Sequence, residues 1–122
     1  MSIETGSNYE PSEPEVVLEV FGFIESPEMK SIKVELIEAL RADDKRVPDL
    51  VDRYRALGEV IADSQETSRG RMGLDVALAL VLRDAGKIED ALYYLETTRY
   101  CAIQEGFKDI TEKLERLIAS LS

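Results

Sequence analysis

Leu74-Asp75-Val76-Ala77-Leu78-Ala79-Leu80-Val81-Leu82-Arg83-Asp84-Ala85-Gly86-Lys87-Ile88-Glu89-Asp90-Ala91 decides the fold. An apolar helical run ends at Gly86, and a second begins two residues later at Ile88. Leu74 to Ala85 is nearly all apolar, as expected of a helix buried on most sides. Gly86 supplies the left-handed conformation that a helix C-terminus often needs. Leu78, Ala79, Leu82, Gly86, Ile88, Ala91 and Leu95 fall where two short antiparallel helices need them. Small residues let the two axes approach, while the large ones interlock as ridges in grooves. This describes a packing unit and not a reaction centre.

The same reading extends outward. The partner helix runs from Ile88 to Gln104 and stops at Gly106. A terminal amphipathic helix follows, with Phe107, Ile110, Leu114, Leu117 and Leu121 on one stripe. Upstream, Ser26-Pro27 is a helix start, with proline where a missing N–H costs nothing. Met29, Ile32, Leu36, Ala39 and Leu40 make the stripe of a helix ending near Arg41. Asp43-Asp44-Lys45-Arg46 is a polar turn, and Pro48 opens a helix carrying Leu50, Val51, Tyr54, Leu57 and Ile61. Ser64 to Gly70 reads either as a loop or as the frayed start of the next helix.

Ser12-Glu13-Pro14-Glu15 has capping-box spacing. After it, Val17, Val20, Phe21 and Ile24 suit a helix stripe, but residues 15–25 are β-branched enough to be a strand. Residues 1–11 are polar and aperiodic, as expected of a disordered acidic tail. The pattern is thus all-α: one bundle of about five helices over residues 12–122.

Composition bounds the rest. A chain of 122 residues suits one domain and needs no disulfide or metal to fold. No apolar stretch of about 18 residues exists, so no membrane span is expected. No basic-then-hydrophobic leader is visible, and the single Cys101 suits a reducing cytoplasm. The net charge is −10, of which residues 1–30 carry −6. Nucleic acid is therefore a poor partner, since phosphate binding needs clustered Lys and Arg. The acid keeps the domain in solution or steers it toward a basic partner.

There is no histidine, which removes the usual general base and the commonest transition-metal ligand together. Zinc fails on ligand count, and Gly70-Arg71-Met72-Gly73 is too short for a phosphate loop. No cofactor or metal is expected. The adjacent carboxylates Asp43-Asp44 and Glu89-Asp90 lie at turns or helix starts, where acids solvate well and favour the helix dipole. Arg69 and Arg71 flank Gly70 as a candidate anion contact. Cys101 has no basic neighbour at helical spacing to activate it. Tyr93, Tyr94 and Tyr100 cluster on one helix, and Tyr94 shares with Cys101 a face distinct from the Ala91–Leu95–Ala102 stripe. That face is either a contact surface or packed beneath the N-terminal helix.

Over residues 72–106 the pattern resembles one tetratricopeptide repeat, the two-helix unit of α-solenoid scaffolds. Leu78, Ala79 and Leu82 match its first helix, and Gly86, Ile88, Ala91 and Leu95 match its turn and second helix. Asp75 stands where that family favours an aromatic and Thr98 where it favours alanine, while Ile103 occupies the region of the closing proline. The resemblance implies a concave face presenting Val76, Ala77, Leu80 and Arg83. With Arg83 alone there as a cation, it implies an apolar occupant, either a partner or another helix of this chain, and not a gripped carboxylate.

The expected function is a non-catalytic helical interaction module that binds a protein or peptide partner or pairs with itself as a homodimer. Val76, Leu80, Arg83, Tyr94 and Tyr100 are its expected contacts. The alternative is a bundle that holds a small apolar ligand near Leu80, Leu82 and Tyr54. A carboxylate enzyme using Asp44 or Asp90 ranks third.

Overall fold

The computed structural model describes residues 17–64 and 68–121. These form five complete helices: α1 (Pro27–Arg41), α2 (Val47–Asp63), α3 (Arg69–Asp84), α4 (Ile88–Glu105) and α5 (Lys108–Leu121). Among the described residues there is no strand, and no helix is long and apolar enough to cross a membrane. The expected tail over residues 1–11 and the helix start at Ser12 lie outside the described residues.

Local chemistry accounts for most boundaries. Ser26 Oγ accepts the Met29 N–H at 3.1 Å, and Pro27 occupies the first turn of α1. Gly86 (φ 83°) and Gly106 (φ 78°) end α3 and α4 in the left-handed region, where a side chain would be strained. α3 begins at Arg69, so Arg69 to Gly73 are helical, while residues 65–67 of the ambiguous stretch lie outside the described residues. Glycine ordinarily weakens a helix, so Gly70 and Gly73 are unusual in its first turns. Here both are buried inside one.

The reason is the segment that crosses α3. Residues 17–19 are helical, and the chain then turns at Gly22 (φ 69°) with Phe23 N–H bonded back to Leu18 O at 3.3 Å. From Phe21 to Glu25 burial alternates: Phe21, Phe23 and Glu25 point inward, while Ile24 is 77% exposed. That is the period of extended chain. The single stripe through Ile24 is thus corrected; helix gives way to an extended strap at Gly22. A Cβ on Gly73 would lie 2.6 Å from Phe23 Cβ, so the missing side chain is what admits the strap.

Each helix packs on the next along the chain, and α1 also touches α3. Arg41, at the end of α1, donates to Asp84 O at the end of α3 at 2.6 Å. Arg69, at the start of α3, pairs with Asp109 at the start of α5 at 3.2 Å. The odd-numbered helices therefore run in one direction, with α2 and α4 antiparallel to them. α3 is the hub; Leu74 and Val76 to Val81 are all buried. Each large apolar side chain removed from water in this way stabilises the fold by about 1.5–3 kcal/mol. Thr98, buried in α4, satisfies its hydroxyl by donating to Tyr94 O at 2.8 Å.

Asp75 is the discordant residue of α3. Lost hydration raises its carboxyl above the ordinary 3.8, against the pull of the Arg55 and Arg71 guanidiniums. A raised native pKa makes the ionised form the costly one. The cost is absent below the unfolded-chain value, grows as pH climbs past it, and is complete above the native value. Asp75→Asn is therefore expected to raise Tm at about pH 7 and to change it little at about pH 3. Thermal melts of both proteins across that range check it; a gain that persists at low pH contradicts it.

Candidate functional site

α2 and α4 both pack on α3, and the space between their N-terminal halves is a groove of about 340 Å³. Its floor is Leu78, Val81 and Leu82 of α3, backed by Leu36 and Leu40 of α1. Val47 and Val51 of α2 form one wall and Tyr94 of α4 the other, with Asp90 and Tyr93 at the rim. Every wall and floor residue is apolar or aromatic. The volume is at the small end of ligand-binding pockets, room for a large apolar side chain or a short aliphatic tail.

Local sequence accounts for this geometry. The stripe of α2 continues to its first residue, so Val47 and Val51 project from the end nearest the turn over residues 42–46. On α4, which packs on α3, the small Ala91 is fully buried. Tyr94, one turn on, is half-buried and packs on the core. Tyr93 meets the Tyr94 ring edge to face, with centroids 6.1 Å apart, and is 69% exposed. Tyr100 lies on the outer side of α4, 64% exposed, and Cys101 is exposed beside it.

The expected contact residues separate accordingly. Val76 and Leu80 are buried in the chain's own core, because α1, α2 and α4 close over α3; they line no open face, and that expectation is corrected. Arg83 pairs with the neighbouring Asp84 at 3.0 Å. Tyr94 lines the groove, and Tyr100 stands apart from it on the exposed side of α4. Of the residues expected around a ligand cavity, Leu82 lines the groove, whereas Leu80 does not and Tyr54 is fully buried elsewhere.

The other candidates are absorbed by the fold. Arg69 is not on a loop; it donates to Val20 O at 3.0 Å, pairs with Asp109 and lies 4.6 Å over the Phe107 ring. The hydrogen bond from Arg69 holds the Asp109 carboxyl below its usual range. Arg71 pairs with Asp63 at 3.0 Å. Asp43 holds Lys87 at 2.9 Å, and Asp44 accepts the Arg46 N–H at 2.8 Å, the bond that lowers its carboxyl. Among the described residues no His, Cys, Asp or Glu side chains converge to hold a metal.

Sequence reasoning missed one buried polar cluster. Glu25, on the strap, accepts the Tyr54 hydroxyl of α2 and pairs with Lys33 Nζ of α1 at 2.8 Å. Burial first, then the neighbouring Glu25 charge, pushes the Tyr54 phenol far above its usual value, so it remains a donor. The one sequence signal was a tyrosine in the middle of an apolar stripe, whose hydroxyl had to find a partner. Comparison with known proteins returned no family model, curated protein or solved structure that matches this chain.

Proposed function

We propose that this protein is a non-catalytic helical interaction module, in which the α2–α4 groove receives an apolar side chain from a partner helix or peptide. The observation that carries this reading is a groove whose floor and walls, Tyr94 among them, are apolar or aromatic, with Tyr93 at its rim. Tyrosine gives contact area at low entropic cost and is enriched where interfaces concentrate their energy. In this reading residues 72–106 act as a tetratricopeptide-like hairpin, on the sequence pattern from Leu78 to Leu95. The exposed, unpaired Cys101 suits a reducing cytoplasm.

Selection of displayed amphipathic peptides on the full chain tests the proposal. Enriched peptides should bind Val51→Gln at least about tenfold more weakly, since a polar amide then replaces part of the apolar wall. Val51 is only half-buried, so helix content and Tm should stay close to the parent. Peptides that bind both proteins equally would place the contact elsewhere. Light scattering on the pure chain reports whether a second copy fills the groove.

A second reading rests on the same volume: the groove holds a small aliphatic ligand. A medium-chain fatty acid would then raise Tm with concentration, and the Val51→Gln variant would not respond. No shift at saturating ligand removes that reading.

A further inference from the structure

The exposed side of α4 narrows the partner class, and this step rests on the groove reading above. Charged residues exposed there are Glu89, Asp90, Glu96 and Glu105. Arg99, whose side chain is 40% exposed beside Glu96, pairs with Glu115 of α5 at 3.1 Å. Glu89 and Asp90 lie in the first turn, where carboxylates suit the helix dipole. Glu96 is two turns further on, where the dipole offers it nothing. At the groove end of the molecule Lys87 pairs with Asp43, Arg46 with Asp44, and Arg41 donates to Asp84 O, while Lys45 is exposed in the same turn.

Aromatic rings complete the pattern. Tyr93 and Tyr100 are seven residues apart and exposed, so they share one side of α4. From Asp90 to Tyr100 this line spans about 15 Å at 1.5 Å per residue. Carboxylates beside open tyrosine faces are the chemistry that receives Lys and Arg, by ion pairing and by cation–π contact. Asp90 and Tyr93 belong both to this line and to the groove rim, so the apolar and acidic surfaces are continuous.

We infer that the groove and the exposed side of α4 together bind a cationic amphipathic helix of a partner protein, with an apolar anchor in the groove and Lys or Arg side chains along Asp90, Tyr93, Glu96 and Tyr100. The chain's net charge of −10 adds a long-range attraction that steers such a partner in.

Two synthetic helical peptides test this, sharing one row of leucines and differing only in Lys or Glu at every other position. Binding to the full chain is read by fluorescence anisotropy at about 0.05 and 0.5 M salt. The Lys peptide should bind about tenfold or more tighter than its Glu twin, and the advantage should shrink with salt. Asp90→Asn with Glu96→Gln should erase the difference. Glu28→Gln with Glu112→Gln, an equal charge change away from α4's exposed side, should preserve it. If the distant pair erases it equally, overall charge is responsible and the inference falls. If both twins bind alike and Val51→Gln weakens both, the groove reading stands and this inference falls. If neither twin binds, this inference is overturned, and the displayed-peptide selection judges the groove reading separately.

Discussion

Gly73→Ala should destabilise this protein by about 1–3 kcal/mol, although alanine is the better helix former. In an open helix the same change would gain about 1 kcal/mol. Here the new Cβ would stand 2.6 Å from Phe23 Cβ and 3.0 Å from Phe21 Cβ. Those atoms sit next to the backbone, so they cannot rotate away; the strap itself must lift. Lifting it withdraws Phe21 and Phe23, both fully buried, and loosens Glu25 from Tyr54. Tm should fall by roughly 5–20 °C.

Gly58→Ala is the natural comparison. Its Cβ would meet Leu74 Cδ1 and Met29 Cε, the far ends of flexible side chains, so a smaller loss is expected. Thermal melts of the two variants decide the matter. A stabilised Gly73→Ala would mean that the strap does not lie across α3.

The second large effect concerns Glu25, Tyr54 and Lys33. Tyr54→Phe removes the hydroxyl bond that Glu25 accepts and leaves a buried carboxylate paired with Lys33. A hydrogen bond to a charged group is worth about 1.5–3 kcal/mol, and the loss should fall in that range. Glu25→Met should cost a comparable amount, because the Tyr54 hydroxyl, on a residue with no exposed surface, is then unsatisfied. Combining the two replaces both partners with apolar groups, and the double variant should recover most of the loss. A double-mutant cycle measures this: a coupling of about 1–3 kcal/mol is expected, and simple additivity would show that the bond contributes nothing of its own. Hydrogen exchange of the amides at residues 21–26 should quicken in each single variant, since the strap is what the bond holds down.

How far the sequence could be read depended on whether a signal was local. α4 and α5 and the stops at Gly86 and Gly106 followed from periodicity and caps over a few turns. The stripe of α1 was legible for the same reason: Met29, Ile32, Leu36, Ala39 and Leu40 are all buried. The start of α3 was not, because Gly70 and Gly73 look like breakers until a crossing segment gives them a purpose. The strap was half legible. The β-branched residues Val17 and Val20 fall in the helical turn before it, and a five-residue alternation cannot be told from a helix face without knowing what lies above it.

The groove was legible only in part. Leu82 and Tyr94 were named beforehand, whereas Val76 and Leu80 were assigned to an open face that α1, α2 and α4 cover. A helix apolar on all sides has no preferred exposed edge, so sequence cannot say which neighbours occupy which side. Val47 and Val51 read simply as members of a stripe. They became a wall because α2 and α4 both pack on α3 with the groove between them.

The sequence by itself determined the all-α class, the positions of the helices and most of their ends, since these depend on periodicity and on single capping residues. Tertiary structure alone decided that an extended segment crosses α3 at Gly73, that Glu25 is buried against Tyr54 and Lys33, and that an apolar groove opens between α2 and α4. Each depends on at least one contact between residues tens of positions apart, and pairing across that distance leaves no mark in the local pattern of either partner.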